Sequence, residues 1–184
     1  MRIQRQWLAW IVVFSLIGCQ PVAPVSAPAQ AAADHLLRKM NERLGLMERV
    51  AAYKLANAKP IADPEREAAL LADVEEKAAA HQLPEKYAGA FFIAQIDAAK
   101  VLQENLLGRW KRENVQPKEA VDLAELRKRI DALNEELLAA LVEYRKYPND
   151  REWVRRKAME LLSGDGVNDH VRNVAIEPLL SKED

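Results

Sequence analysis

The chain has 184 residues, a mass of 20.8 kDa and a formal net charge of −1, room for about one ordinary domain. With 49% apolar residues it is not a disordered chain, and with Lys+Arg 27 against Asp+Glu 28 it is not a nucleic-acid binder through bulk charge. One cysteine rules out an intrachain disulfide and a cysteine zinc cluster; His35, His81 and His170 show no metal-ligand spacing, and no Gly-rich phosphate loop is present. No metal and no cofactor is therefore expected.

Residues 1–18 read as an export signal. Arg2 and Arg5 precede an apolar run from Trp7 to Ile17, too short for a bilayer, which takes about 20 residues. Two cleavage readings stand open. Leu16-Ile17-Gly18-Cys19 resembles a bacterial lipobox, with Cys19 as a lipidated first residue that anchors the protein in a membrane. Ala29-Gln30-Ala31 is a small-x-small site, with cleavage after Ala31. Either reading sends the chain to the periplasm. Residues 19–33 are rich in Pro and Ala without a periodic apolar face, which reads as a flexible tether.

Residues 34–184 read as one all-α domain, a single bundle of about six helices. Leu36, Leu37, Met40, Leu44, Met47, Val50 and Ala51 mark a first helix from Asp34 to Lys59. Asp63-Pro64 opens a second, with Asp as N-cap and Pro in the first helical position. Pro84-Glu85 starts a long third helix through Phe91, Phe92, Ile96, Leu102 and Leu106. Asp122 precedes a fourth, carried by Leu126, Ile130, Leu133, Leu137 and Leu141. Asn149-Asp150 caps a shorter helix with Trp153, Val154, Ala158 and Leu161; a last helix runs from Val167 to Leu180, its end near Pro178.

Helical arithmetic aligns several polar side chains. Arg43 and Lys54, eleven residues apart on one helix, point within about 20° of each other at a separation of about 16 Å. Asp63 and Arg66 meet at i, i+3. Gln95, Ala99 and Gln103 form a stripe beside Phe92, Ile96 and Leu106. Arg127 follows the apolar Leu126 and adds a cation if it faces inward. Spacing alone does not say whether these groups converge, because a lone Arg on an amphipathic helix ordinarily lies in solvent.

Read in order, Glu42-Arg43-Leu44, Val50-Ala51-Ala52-Tyr53-Lys54, Asp63-Pro64-Glu65-Arg66-Glu67, Phe91-Phe92-x-x-Gln95-Ile96-x-Ala98-Ala99-Lys100-x-x-Gln103 and Asp122-Leu123-x-x-x-Arg127-x-x-Ile130-Asp131-x-Leu133-Asn134 resemble the exported, gamma-type subclass of all-helical type II chorismate mutases. The resemblance implies conversion of chorismate to prephenate by a Claisen rearrangement. It implies that Arg43 binds a substrate carboxylate and that Lys54 binds a carboxylate and the ether oxygen. Asp63 and Arg66 then serve the hydroxyl and carboxylate region, Gln103 bonds the ether oxygen, and Arg127 takes the other carboxylate. On this reading Lys54 and Gln103 are the catalytic pair, chorismate is the small-molecule partner, and the pocket comes from one chain. Exported relatives are often homodimers.

Two positions depart from the pattern. Ala99 stands where relatives often carry Ser or Thr against a substrate oxygen, and its methyl cannot donate. Leu70 stands one turn after Arg66, where some relatives are polar. The rival reading is a non-catalytic helical envelope lipoprotein, or an anion-binding module of the same fold. A structural protein would scatter these cations over its surface; a binding module or an enzyme would gather them.

Overall fold

The computed structural model describes residues 25–117, 122–148 and 150–181. The export signal and residues 19–24 of the expected tether, Cys19 among them, lie outside the described residues. Among the described residues there are seven α-helices and no strand: α1 (Ala27–Gly45), α2 (Met47–Ala56), α3 (Pro64–Ala80), α4 (Glu85–Glu113), α5 (Leu123–Tyr144), α6 (Arg151–Leu161) and α7 (Asp169–Leu180).

Most helices start where a side chain satisfies the free N–H groups of the first turn. Asp122 accepts from Ala124 and Glu125, Asp150 from Glu152 and Trp153, and Asn168 from Val171. At α3 the bonding is reciprocal: Asp63 accepts from the Arg66 N–H, and Glu67 Oε1 accepts from the Asp63 N–H at 3.2 Å. This fixes the start of the helix that carries both residues.

Helix α4, 29 residues and about 44 Å long, is the axis of the bundle. It packs against α7, α3 and α2, while α1 lies along α5 and touches α6. The core is continuous from Leu36, Leu37, Met40 and Leu44 of α1 through Phe91, Phe92, Leu102 and Leu106 of α4 to Leu137 and Leu141 of α5. Phe91 and Phe92 meet edge to face at 5.4 Å. The turn before α7 presses against α4 at Gly166, where φ is +77° and a Cβ would sit 2.9 Å from Leu106 Cγ, so only glycine fits without a shift.

Two expectations need correction. The helix read from Asp34 to Lys59 is two helices, because the chain breaks at Leu46. There the Leu46 N–H turns back to Arg43 O and Leu44 O, and Gly45 supplies no helix-favouring side chain. Arg43 and Lys54 therefore belong to different helices, and the single-helix arithmetic does not relate them. Second, helix α1 begins at Ala27, inside the stretch 19–33 read as tether. Ser26 caps it, and Ala29, Ala32 and Ala33 are buried, their small side chains filling the packed face. The last helix ends at Leu180 as expected, with Pro178 in its final turn.

The early start of α1 has a measurable consequence. A chain starting at residue 32 lacks the Ser26 cap and the buried Ala29. It is expected to melt about 2–6 °C below one starting at residue 20, from a cap worth about 1 kcal/mol and the lost packing. Equal melting temperatures would show that these first turns contribute nothing.

Candidate functional site

Helices α1 to α5 enclose a cavity of about 800 Å³, in the range of small-molecule sites. Arg43, Lys54, Asp63, Arg66, Ala99, Gln103 and Arg127 all line it. The sequence left their convergence open; the fold brings all seven to one place. Apolar side chains fill out the lining between them: Met47, Val50, Leu70, Ile96, Leu123 and Ile130.

Arg43 is the most buried of the lining cations, only 5% exposed. Its Nε donates to Asn134 Oδ1 at 3.1 Å and its Nη1 donates to the Gln95 carbonyl at 3.0 Å. Among the described residues no carboxylate pairs with it. Burial, with a smaller contribution from the nearby Arg66 charge, lowers its pKa to about 10, so it is still a cation at neutral pH. The site thus holds a buried positive charge whose protein partners are neutral oxygens.

Lys54 is half-buried at the end of α2, and its Nζ donates to the carbonyl of Ile61 in the α2–α3 loop. Burial lowers its pKa, while the charges of Asp63 and Glu67 oppose the shift. Across the cavity on α4, Gln103 is buried. Its Nε2 donates to the Ala99 carbonyl at 3.1 Å and faces Met47 Sδ, a weak acceptor, at 3.9 Å. Its Oε1 has no partner among the described residues. The Ala99 methyl sits in the wall between apolar neighbours and offers no donor.

The mouth lies between α3 and α5, which face each other without close backbone packing. Two ion pairs cross it, Arg127 with Asp63 at 3.1 Å and Arg66 with Asp131, and Lys77 with Glu135 joins the same two helices away from the cavity lining. Arg127 is half exposed here, so it is a rim group and not a buried one. Lys100 pairs with Glu67 at 3.3 Å beside the cavity. The lining carries six cations (Arg43, Lys54, Lys59, Arg66, Lys100, Arg127) against three acids (Asp63, Glu65, Glu67), so the cavity favours an anion. Among the described residues no cluster of His, Cys, Asp or Glu is placed to hold a metal ion.

One functional position escaped the sequence reading. Asn134 is 4% exposed, lines the cavity and orients Arg43. It lies seven residues after Arg127, hence on the same face of α5 two turns on. That spacing was the available signal, but a polar residue next to Leu133 does not announce its partner.

Comparison with known proteins bears on this geometry. The family described as Chorismate mutase type II matches residues 31–104, a stretch that contains Arg43, Lys54, Asp63, Arg66, Ala99 and Gln103 but neither Arg127 nor Asn134. Secreted chorismate mutase of Mycolicibacterium smegmatis is 35% identical over 94 residues, 50% of this chain and 52% of that protein. Secreted chorismate mutase of Mycobacterium tuberculosis is 30% identical over 133 residues, 71% of this chain and 66% of that protein. The chain thus spans about half to two thirds of these relatives' length. The crystal structure of chorismate mutase from Burkholderia thailandensis superposes with a TM-score of 0.72 at 34% identity, over 81% of this chain and 99% of that one. With a relative of this identity matched along almost its full length, on the same helical bundle, the chain belongs to the chorismate mutase type II family.

Proposed function

We propose that this protein converts chorismate to prephenate in the α1–α5 cavity. The observation that carries the reading is the buried Arg43, a cation left without a carboxylate, facing Lys54 and Gln103 across a cavity large enough for a ring with two carboxylates. The convergence of these groups argues against a structural lipoprotein.

The reaction breaks the ether C–O bond while a C–C bond forms. It passes no proton to the protein and needs no nucleophile. The protein must fold the enolpyruvyl arm over the ring and stabilise negative charge growing on the ether oxygen. Arg43 takes one carboxylate from the cavity floor. Arg66 and Arg127 take the other carboxylate and the ring hydroxyl region together with Asp63. Their ion pairs in the free protein are half exposed and worth about 0–1 kcal/mol each, so a substrate carboxylate exchanges for them at little cost. Lys54 gives up the Ile61 carbonyl and Gln103 gives up Met47 Sδ to meet the ether oxygen from two sides. Ala99 adds no donor, so the substrate oxygen near it keeps a water or goes unbonded.

Export supports the same picture from the other end of the chain. Cleavage after Ala31 would remove the Ser26 cap and the first turn of α1, whereas cleavage before Cys19 spares both. We therefore favour the Cys19 reading, with a lipid anchor holding the domain on the periplasmic side of a membrane. Mass spectrometry of the mature N-terminus tests it: a diacylglyceryl-modified Cys19 supports the anchor, and an N-terminus at Ala32 rules it out.

A chain starting at residue 20, given chorismate without metal or cofactor, should deplete the ultraviolet absorbance of chorismate and form prephenate. No turnover by the folded protein would overturn the reading. Lys54→Ala should lower kcat on the order of 10²–10³-fold, as for loss of other oxyanion donors; near-normal turnover would remove Lys54 from the mechanism.

The pH dependence follows from two groups. Gln103 is a neutral amide and donates at any pH, so kcat/KM should vary far less than tenfold per pH unit between pH 5 and 8. Lys54 acts as a cation, and its pKa is lowered by burial. Activity is thus present below that pKa and lost as pH rises through it, with the alkaline fall beginning below the usual lysine value of 10.5. A steep fall from pH 5 to 8 would contradict the neutral donor.

A further inference from the structure

We infer that Asn134 is a second donor to the substrate carboxylate that Arg43 binds, an assignment that rests on the chorismate reading above. Asn134 is buried on α5 and lines the cavity. Its amide orientation is fixed by its neighbour. Arg43 Nε is a donor at 3.1 Å, so the oxygen must face it and the nitrogen must point away. The Nδ2 so directed is buried and has no acceptor among the described residues. A buried N–H without a partner costs free energy that a bound acceptor recovers.

Arg43 supplies a second donor beside it. It spends Nε on Asn134 and Nη1 on the Gln95 carbonyl, and its Nη2 makes no hydrogen bond to the described residues, although it is not sealed in as Asn134 Nδ2 is. Two N–H donors without a protein acceptor, one cationic and one neutral, are therefore tied together by the bond between their side chains. A carboxylate presents two oxygens to such a pair, and the positive charge selects it over a hydroxyl. The arrangement joins α1 to α5, so each helix contributes one arm. Asn134 also lies outside the stretch that carries the family match, so the structure points to it independently of that match.

The test is a double-mutant cycle on chorismate turnover with Asn134→Leu, Arg43→Met and the double variant, in the chain starting at residue 20. Asn134→Leu should raise KM on the order of tenfold or more with a smaller effect on kcat, because the carboxylate is held equally in the ground and transition states. In the Arg43→Met background, Asn134→Leu should raise KM again by several-fold, since a direct contact survives the loss of Arg43. Asn134→Ala replaces Leu if thermal melting shows that Leu unfolds the core. An unchanged KM in the wild-type background, or no further effect once Arg43 is gone, overturns the direct contact while the chorismate reading stands. Absence of turnover by the wild-type chain overturns both.

Discussion

A guanidinium buried without a carboxylate is the constraint around which this fold is arranged. Removing a cation from water is costly, and the protein offsets the cost with hydrogen bonds that Arg43 donates to neutral oxygens, those of the Asn134 amide and the Gln95 carbonyl. Those partners come from α5 and α4, and Gln95 is itself held by its side chain, which donates to the Ala175 carbonyl of α7 at 2.8 Å. The position of one charge on α1 thus depends on three other helices. A carboxylate inside the protein would have neutralised that charge more simply, and would have left nothing for a ligand to complete.

The cations differ in how they are held in the absence of ligand. Arg66 and Arg127 sit on the rims with Asp131 and Asp63 as partners, in contact with water. Lys54 rests on a loop carbonyl, half-buried. Arg43 is enclosed. Exposure therefore decreases from mouth to floor, and the strength of each group's attraction for an anion rises as water is excluded. An anion that enters meets weakly engaged charges first and the least screened charge last.

Much of this was legible in the sequence. Apolar periodicity and the caps at Asp63, Asp122 and Asp150 mark helix starts within a residue or two, because those signals are local. The break at Leu46 was not legible: apolar spacing continues through it, and Gly45 alone does not end a helix. The first turns of α1 were hidden for the opposite reason. Alanine has high helix propensity, but an Ala/Pro stretch carries no apolar contrast, and only tertiary packing shows that Ala29 and Ala33 face the core. Spacing singled out the seven site residues and family resemblance gave them roles; spacing on single helices could not show five helices converging. Asn134 was missed because its role is defined by a partner 91 positions away.

The rims of the cavity carry a consequence of their own. Helices α3 and α5 are joined chiefly by charge pairs, two of them at the mouth, and exposed pairs are screened over about 8 Å at physiological ionic strength. Added salt therefore loosens the latch between the two helices and hastens exchange through the mouth. The same ions weaken the long-range pull of the cavity on an incoming anion. These opposed effects partly cancel, and the buried Arg43, the least screened of the cavity's charges, is the one whose pull on an anion changes least.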